Sequence, residues 1–375
     1  MFSLLLLCIA DVVALAAGAT LALRAQPRGA WRELAVLVAL ALVVGLGLGV
    51  LQRPWGNFAV LRGFAHAIGC VILPVWLLRA AVLWRRHRWL AALLLAAFVV
   101  GEGCYLWARE VEPFRLEVTT HRVTSEKLRG LARPLRVACV ADLQTDAIGD
   151  YEVSVFDRLV ELQPDLVLFL GDYLQLEGDE LAAELPKLRA QLLKLAPPLG
   201  MFAVEGDVDW PAGGAAGVYQ GTAVRALDDG ATSLPGVPID LIGLGRRRSR
   251  MEFVDAGLLR RAGSQGAGER FPIVFGHAPD FMQSVLRSGL DLDCLMLAGH
   301  THGGQIQVPG FGPVMTLSSV PRWLAGGGVF ARGRAWLGVS RGIGMERGHA
   351  PRVRFCCRPQ LMVIELGPPA GESPR

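Results

Sequence analysis

Five short apolar runs in this chain each end in a residue able to hold a metal ion. Asp142 follows "RVACVA", Asp172 follows "LVLFLG", Asp207 follows "FAVEG", His277 follows "PIVFG", and His300 with His302 follows "LMLAG". Carboxylates and imidazoles gathered in one place suit a divalent transition metal (Mn, Fe, Zn or Co) better than Ca or Mg, although the ligand types do not choose among the four. Four of the five positions come directly after a glycine, Gly171, Gly206, Gly276 and Gly299. Glycine lets the backbone turn sharply and leaves the next side chain unobstructed. Taken singly these residues have duller readings: an Asp after a strand commonly caps the following helix, and a lone His can simply end a strand. Taken together, with three of the chain's seven histidines among them, they argue for a shared metal site.

Such a site needs elements that bring five chain positions to one edge. The runs at 135–141, 165–170, 201–205, 239–244, 271–275 and 292–298 are short and rich in Val, Leu, Ile and Phe, as buried strands are. Between them "YEVSVFDRLVEL", "DELAAELPKLRAQLLKL" and "DFMQSVLRSGL" carry the spacing of amphipathic helices. The alternation predicts an α/β domain, whose ligands belong at the carboxyl ends of the strands. After residue 300 the helical patterns stop, and "GQIQV", "AWLGVS", "RVRFCC" and "QLMVIEL" imply further strands. The domain is expected over 135–367, after a linker at 111–134 that becomes an opening strand and before a Pro/Gly/Ser-rich tail at 368–375, read as disordered.

Residues 1–110 are different in kind. Runs at about 2–23, 34–51, 64–84 and 89–107 are apolar over the roughly 20 residues that a bilayer requires, which predicts a membrane anchor of four helices; a cleaved signal peptide is the alternative for the first. Asp11 and Glu102 within these runs are read as helix-interface or end-of-span carboxylates. Ten arginines against four acids give residues 1–110 a net charge of +6 and leave about −2 for the rest of the +4 chain. Basicity therefore belongs to the anchor, and no nucleic-acid groove is implied. Arg24, Arg28 and Arg32 in the first loop and Arg85, Arg86 and Arg88 in the third place those loops in the cytoplasm by the positive-inside rule. The expectation is an integral, multi-pass membrane protein whose soluble domain faces outward. The seven cysteines show neither metal spacing nor a disulfide framework.

Residues 135–367 resemble the calcineurin-like metallophosphoesterase superfamily, in its membrane-anchored branch. The ordered motifs of that family are matched by "ADLQTD", "LGDY", "EGDVDW", "FGHAPD" and "AGHTHGGQ", the last being the most specific, and the closing "VSRGIG…RPQLMVIEL" resembles the end of the membrane-linked branch. The resemblance implies an αββα sandwich of two mixed sheets with the site at their carboxyl edge, and two divalent metal ions. Asp172 would bridge the ions, Asp142 and His302 would complete much of one shell, and His277 and His300 would bind the other ion; a hydroxide between the ions would attack phosphorus in line. Three positions depart from the family pattern. Gln144 stands where a ligating His is expected, Asp207 where a ligating Asn is expected, and Val208 where the catalytic His is expected. Asp209 keeps the acidic position that follows and could orient a ligand or serve as the missing acid. UDP-2,3-diacylglucosamine hydrolases of the same superfamily also lack that histidine, and a leaving group that is already a stable anion needs little proton donation.

The function expected is that of a metal-dependent phosphoesterase acting on a phosphoester or pyrophosphate, of a lipid-linked substrate if membrane tethering sets its choice. Arg246, Arg247 and Arg248 of "GRRRSR" are candidates for holding its phosphate, an exposed basic loop being the plainer reading. The other reading, carried by Gln144 and Val208, is a membrane receptor that binds metal or phosphate without turning it over. The bilayer and a phosphoester are the partners implied; nothing in the sequence sets an oligomeric state.

Overall fold

The computed structural model describes residues 75, 77, 81–82, 88–252, 270–287, 292–347 and 350–369. The apolar runs expected to span at 2–23 and 34–51, nearly all of 64–84, and the tail from residue 370 lie outside the described residues. The chain divides into two compact units, Met1–Arg109 with Glu346–Arg352, and Glu110–Met345 with Val353–Arg375.

In the first unit, helix α1 (Arg88–Leu106) continues as a wider turn over Trp107–Val111 and a tight turn over Glu112–Phe114, by which point the chain has entered the second unit. Ala91–Phe114 is long enough to cross a bilayer at 24 residues, with a mean hydropathy of 1.7 and only 12% of its apolar window buried. An apolar helix left uncovered by protein is what a lipid-facing helix looks like. It is the one such helix among the described residues, so the multi-pass arrangement is corrected to a single candidate span. Hydropathy counts apolar runs but does not show that they form helices, and the outward placement of the domain, which depended on that count, falls with it.

The second unit is built on two six-stranded mixed sheets. The first has the order β1-β14-β2-β3-β4-β5, from Glu117–Thr124, Gln360–Gly367, Leu135–Val140, Leu166–Phe169, Met201–Ala203 and Val224–Ala226. The second has the order β12-β13-β9-β8-β7-β6, from Gly328–Arg332, Ala335–Val339, Leu295–Ala298, Phe271–Gly276, Ile239–Leu244 and Ala231–Ser233. A two-stranded hairpin, β10 (Gln307–Val308) and β11 (Gly312–Pro313), stands apart from both. Strand alternation sorts the side chains into layers. Val137, Cys139, Leu166 and Leu168 of the first sheet share a core with Leu241, Ile273, Phe275, Leu295 and Leu297 of the second. Their neighbours Ala138, Val140, Val167 and Phe169 point the other way, onto Val155, Phe156 and Leu159 of α2 (Asp150–Glu161) and Leu181, Leu188 and Leu192 of α3 (Gly178–Leu192). Each Val, Leu, Ile or Phe among them, fully buried, contributes roughly 1.5–3 kcal/mol. Both faces of each sheet are covered, which is why these strands read as continuous apolar runs. The fold is an αββα sandwich of two mixed sheets.

The stretch read as a linker that becomes an opening strand contributes β1, an edge strand paired in parallel with β14 from Glu117↔Gln360 to Thr124↔Gly367. One segment departs from the sequence pattern. "RVRFCC" alternates like a strand but makes only a single bridge, Phe355 to Ile306. The Arg354 side chain is fully buried there and donates to the carbonyls of Arg341, Gly342, Gly344 and Cys357, and Cys356 takes a φ of +52°. An inward-turned arginine satisfied by a cage of carbonyls cannot belong to a regular ladder.

Asp165, just before β3, locks the start of β2. Its carboxylate accepts from Arg133 Nη1 at 2.9 Å and Nη2 at 2.5 Å, and from the Arg136 backbone N–H at 2.8 Å. Burial alone would raise its pKa, but these bonds outweigh it and hold the carboxyl below the usual range. A depressed folded value means stability that is present above the unfolded pKa of about 3.9 and lost as pH falls through the folded value. Asp165→Ala is expected to cost about 2 kcal/mol at pH 7, the scale of hydrogen bonds to a charged group. Urea unfolding should show the gap between the two proteins at pH 7 and its closure under strong acid; a gap that persists below the folded pKa would contradict this account.

Candidate metal centre

Parallel pairing sets the site. Val140 of β2 lies level with Phe169 of β3, which lies level with Ala203 of β4, and in the other sheet Phe275 of β8 lies level with Leu297 of β9. The residues just beyond these strand ends therefore emerge at one edge. Bonds between the sheets tie that edge together. The His300 N–H donates to both oxygens of Asp142, at 2.9 and 3.0 Å, and His277 Nδ1 lies 3.0 Å from the Leu170 carbonyl. A carbonyl only accepts, so Nδ1 carries a proton and Nε2 is the nitrogen that faces the cluster.

The ligand-type side chains form two groups, Asp142 with Asp172 and His302, and Asp207 with His277 and His300, the candidate ligand atoms of each group lying within 4.8 Å of one another. The two histidines of "GHTHGG" thus fall in different groups. Asp172 and His277 join them, with His277 Nε2 at 3.3 Å from Asp172 Oδ2 and 3.4 Å from Asp207 Oδ2. His300 Nδ1 lies 3.1 Å from Asp207 Oδ2 and 3.2 Å from His277 Nε2.

The backbone is forced into this arrangement. Asp142, Gln144, Asp172, His300 and His302 all have positive φ, between +31° and +70°. Each such non-glycine residue costs on the order of 1–3 kcal/mol, and such strain gathers where a side chain must be aimed. Gly206 shows how close the loops come, since a Cβ there would overlap the backbone nitrogen of Asp172.

The donor set fits metal ions. His300 Nε2 and His302 Nδ1 are buried nitrogens with no hydrogen-bond partner, a costly condition unless a cation takes the lone pair. Burial pushes His302 down to about 3, aided by the buried Arg354 guanidinium, so its ring is neutral at pH 7 and free to ligate. Burial pushes Asp142 up to about 7 against the attraction of His277, with the Asp172 charge adding to the rise. On His277 burial acts downward, but the Asp172 carboxylate more than offsets it and raises the ring well above its ordinary value. Asp142 and His277 thus hold protons where the neighbouring charges call for positive charge.

The remaining expected residues sit as follows. Gln144 is fully buried in the loop after β2, where its Nε2 donates to Gln175 Oε1 at 3.1 Å and its N–H to the Asp172 carbonyl at 3.0 Å. Val208 offers the site only its backbone, its N–H donating to Asp172 Oδ1 at 3.0 Å. Asp209 lies beneath the site as a fastener, accepting from the N–H groups of Asp172 at 3.0 Å, Tyr173 at 2.9 Å and Gly206 at 2.6 Å. With both oxygens facing backbone amides and 1% exposure, it is not placed to give a proton to a leaving group. Of the basic loop, Arg248 pairs with Asp229 at 3.3 Å and Arg247 is exposed. The arginine that meets the cluster is Arg250, whose Nε donates to Asp207 Oδ1 at 3.2 Å while Nη2 meets Oδ2. Burial would raise Asp207, but hydrogen bonds from His277, His300 and Arg250 outweigh it and hold the carboxyl far below its ordinary range. Two supports escaped the sequence: this choice of Arg250 among four neighbouring arginines, and the buried Arg354, which fixes the Arg341–Gly344 turn against Asp142 through Gly344 N–H to Asp142 O at 2.7 Å.

No family model matches the chain. It is similar to the metallophosphoesterase YkuE of Bacillus subtilis (strain 168), 28% identical over 292 residues that cover 73% of this chain and 93% of that protein. It is similar also to the phosphodiesterase YaeI of Escherichia coli (strain K12), 27% identical over 292 residues that cover 75% of this chain and 98% of that protein. Among solved structures, a dimetal phosphatase from Danio rerio superposes with a TM-score of 0.36 at 12% identity, over 59% of this chain and 91% of that one. Two relatives matched over nearly their whole length, and a site that sorts three carboxylates and three imidazoles into adjoining ligand groups, mark this chain as a metal-dependent hydrolase of the phosphoesterase type.

Proposed function

We propose that this hydrolase acts on phosphodiesters or pyrophosphates, with a preference for leaving groups that depart as stable anions. The observation that carries the reading is the pair of ligand groups joined through Asp172 and His277, set beside a third motif that offers no proton donor. Asp142, Asp172 and His302 would hold one divalent ion and Asp207, His277 and His300 the other, with Asp172 between them and Gln144 at the margin of the first. When bound, such a pair supplies a water-derived nucleophile at neutral pH and neutralises phosphoryl oxygens. The chain's own residues do the rest. The Leu170 carbonyl fixes the His277 ring, the Val208 N–H orients Asp172, and Asp209 clamps the loops after β3 and β4. Arg250, half exposed beside Asp207, is placed to meet a phosphoryl oxygen while balancing the charge that Asp207 adds. Val208 cannot protonate a leaving oxygen and Asp209 is committed to the backbone, so an alkoxide leaving group is disfavoured. The similarity to a phosphodiesterase agrees with this preference.

The test compares the Mn-loaded chain on bis(p-nitrophenyl) phosphate, a pyrophosphate diester and a simple alkyl monoester. Turnover of the first two well above the third, abolished by chelation and restored by metal, is the expected result. Two bound metals without turnover of any phosphoester would overturn it in favour of a binding protein.

A further inference from the structure

We infer that the hairpin β10–β11 and the segment after it, through Trp323, form a face that lies against the lipid bilayer. The segment "QVPGFGPVMTLSSVPRW" (307–323) leaves Val308, Phe311, Val314, Met315, Leu317 and Trp323 exposed, Phe311 at 60% and Leu317 at 54%. Single exposed apolar side chains need no explanation, but six within seventeen residues form a patch of the kind that marks an interaction surface. The tip is built to project. Gly310 and Gly312 take φ of +79° and +84° on either side of Phe311, so the backbone turns there and the ring stands out. The segment holds no carboxylate, and Arg322 is its sole charged residue. The Arg322 guanidinium lies over the Phe311 ring, 4.6 Å from its centroid. Aromatic rings with a neighbouring arginine suit the boundary between acyl chains and anionic headgroups, where rings sit in the apolar zone and a guanidinium reaches the phosphates.

A second observation selects a bilayer over a protein partner. The candidate span Ala91–Phe114 closes on residues that belong to the same unit as the hairpin, and these residues are pinned beside the hairpin's base. The Cys357 N–H donates to Glu112 Oε1 at 2.5 Å, and Phe114 packs edge-on against Tyr151 with ring centroids 5.4 Å apart. Two residues before Cys357, the Phe355 carbonyl accepts from the Gln307 N–H at 2.9 Å, and the Phe355 N–H donates to the Gln305 carbonyl at 2.9 Å. Cys357 Sγ also meets the His302 carbonyl at 3.3 Å. One short segment, 355–357, therefore ties together the point where the chain would leave a membrane, the root of the apolar hairpin and the loop that carries His302. A lipid surface at the first of these is within reach of the second. The further consequence, that the phosphoester attacked is carried in the bilayer, rests on the proposed function; the docking does not.

The experiment uses the full chain reconstituted into phosphatidylcholine–phosphatidylglycerol vesicles that contain an alkyne-tagged phospholipid. A photo-crosslinking side chain, p-benzoylphenylalanine, is placed at Phe311, separately at Leu317 as an independent probe, and at Leu193, which is 74% exposed at the end of α3 and serves as the reference. Thermal melting identical to that of the unsubstituted chain qualifies each variant. Lipid adducts at Phe311 or Leu317 are expected at about five-fold or more above those at Leu193, as an interface-buried apolar face requires. Adducts no higher than at Leu193 at both positions, or crosslinks mainly to a second copy of the chain, would overturn the inference. Neither result depends on turnover, so failure here and failure of the phosphoesterase reading remain distinguishable.

Discussion

Asp172→Asn is expected to reduce turnover by a factor on the order of 10³ or more, beyond the loss that follows removal of a single electrostatic donor in other active sites, and to leave the chain with fewer than two bound metals. The substitution keeps the shape of the side chain, and the amide oxygen can still accept from the Val208 N–H that now bonds Asp172 Oδ1 at 3.0 Å. What it removes is charge at the first-group carboxylate that meets the inward nitrogen of the second group, Asp172 Oδ2 lying 3.3 Å from His277 Nε2. An amide nitrogen facing His277 presents a donor where a cation is to sit. Because Gly206 and the Asp209 carboxylate hold the Asp172 backbone from the other side, the fold should survive, and circular dichroism should match the unsubstituted chain. Metal analysis and a phosphodiester assay on the same preparation check both halves. A variant that keeps two metals and loses less than about ten-fold in turnover would remove Asp172 from the role proposed for it.

How far the sequence reached follows from the range over which each interaction acts. The buried strands were legible because both faces of each sheet are covered, so Leu166–Phe169 and Phe271–Gly276 carry no exposed position to break the apolar run. The residues that gather into the two candidate ligand groups stand out in the sequence because each follows a strand end closely, usually with glycine before it. Arg250 was not separable from Arg246, Arg247 and Arg248, since its partner Asp207 lies 43 residues away and no local pattern marks which arginine faces inward. Arg354 was hidden more deeply. A charged residue in an alternating stretch reads as the outward side of a strand, whereas here it is fully buried and its donors go to backbone carbonyls. Asp209 was undecided for a related reason: residue type allowed either an orienting carboxylate or an acid, and the sequence does not show the three backbone amides that it accepts from. The membrane region shows the limit of hydropathy, which counts apolar runs but does not supply the helices that one span or four would need.

Removing the metals should cost the protein stability as well as activity, and the size of the loss follows from the site's construction. Asp142, Asp172 and Asp207 are brought together beside three imidazoles, with Asp142 wholly and Asp172 almost wholly buried. Two of those imidazoles present buried nitrogens without a partner. Five residues of these loops sit at positive φ, strain that bound cations would offset. Binding confined to the folded state stabilises it by about 4 kcal/mol when free metal stands at about a thousand times Kd. At roughly 2–4 °C per kcal/mol for a domain of this size, dialysis against a strong chelator is expected to lower Tm by about 10 °C, with recovery on adding Mn or Zn. The loss should not be uniform. Hydrogen exchange is expected to quicken first in 299–305 and 142–145, where the strained residues lie, while β3 and β8 keep their protection because their core does not depend on the ions. If Tm and exchange are unchanged after elemental analysis shows the metal gone, the loops are held by protein contacts alone, and the buried carboxylates must be balanced by the protons that Asp142 and His277 take up.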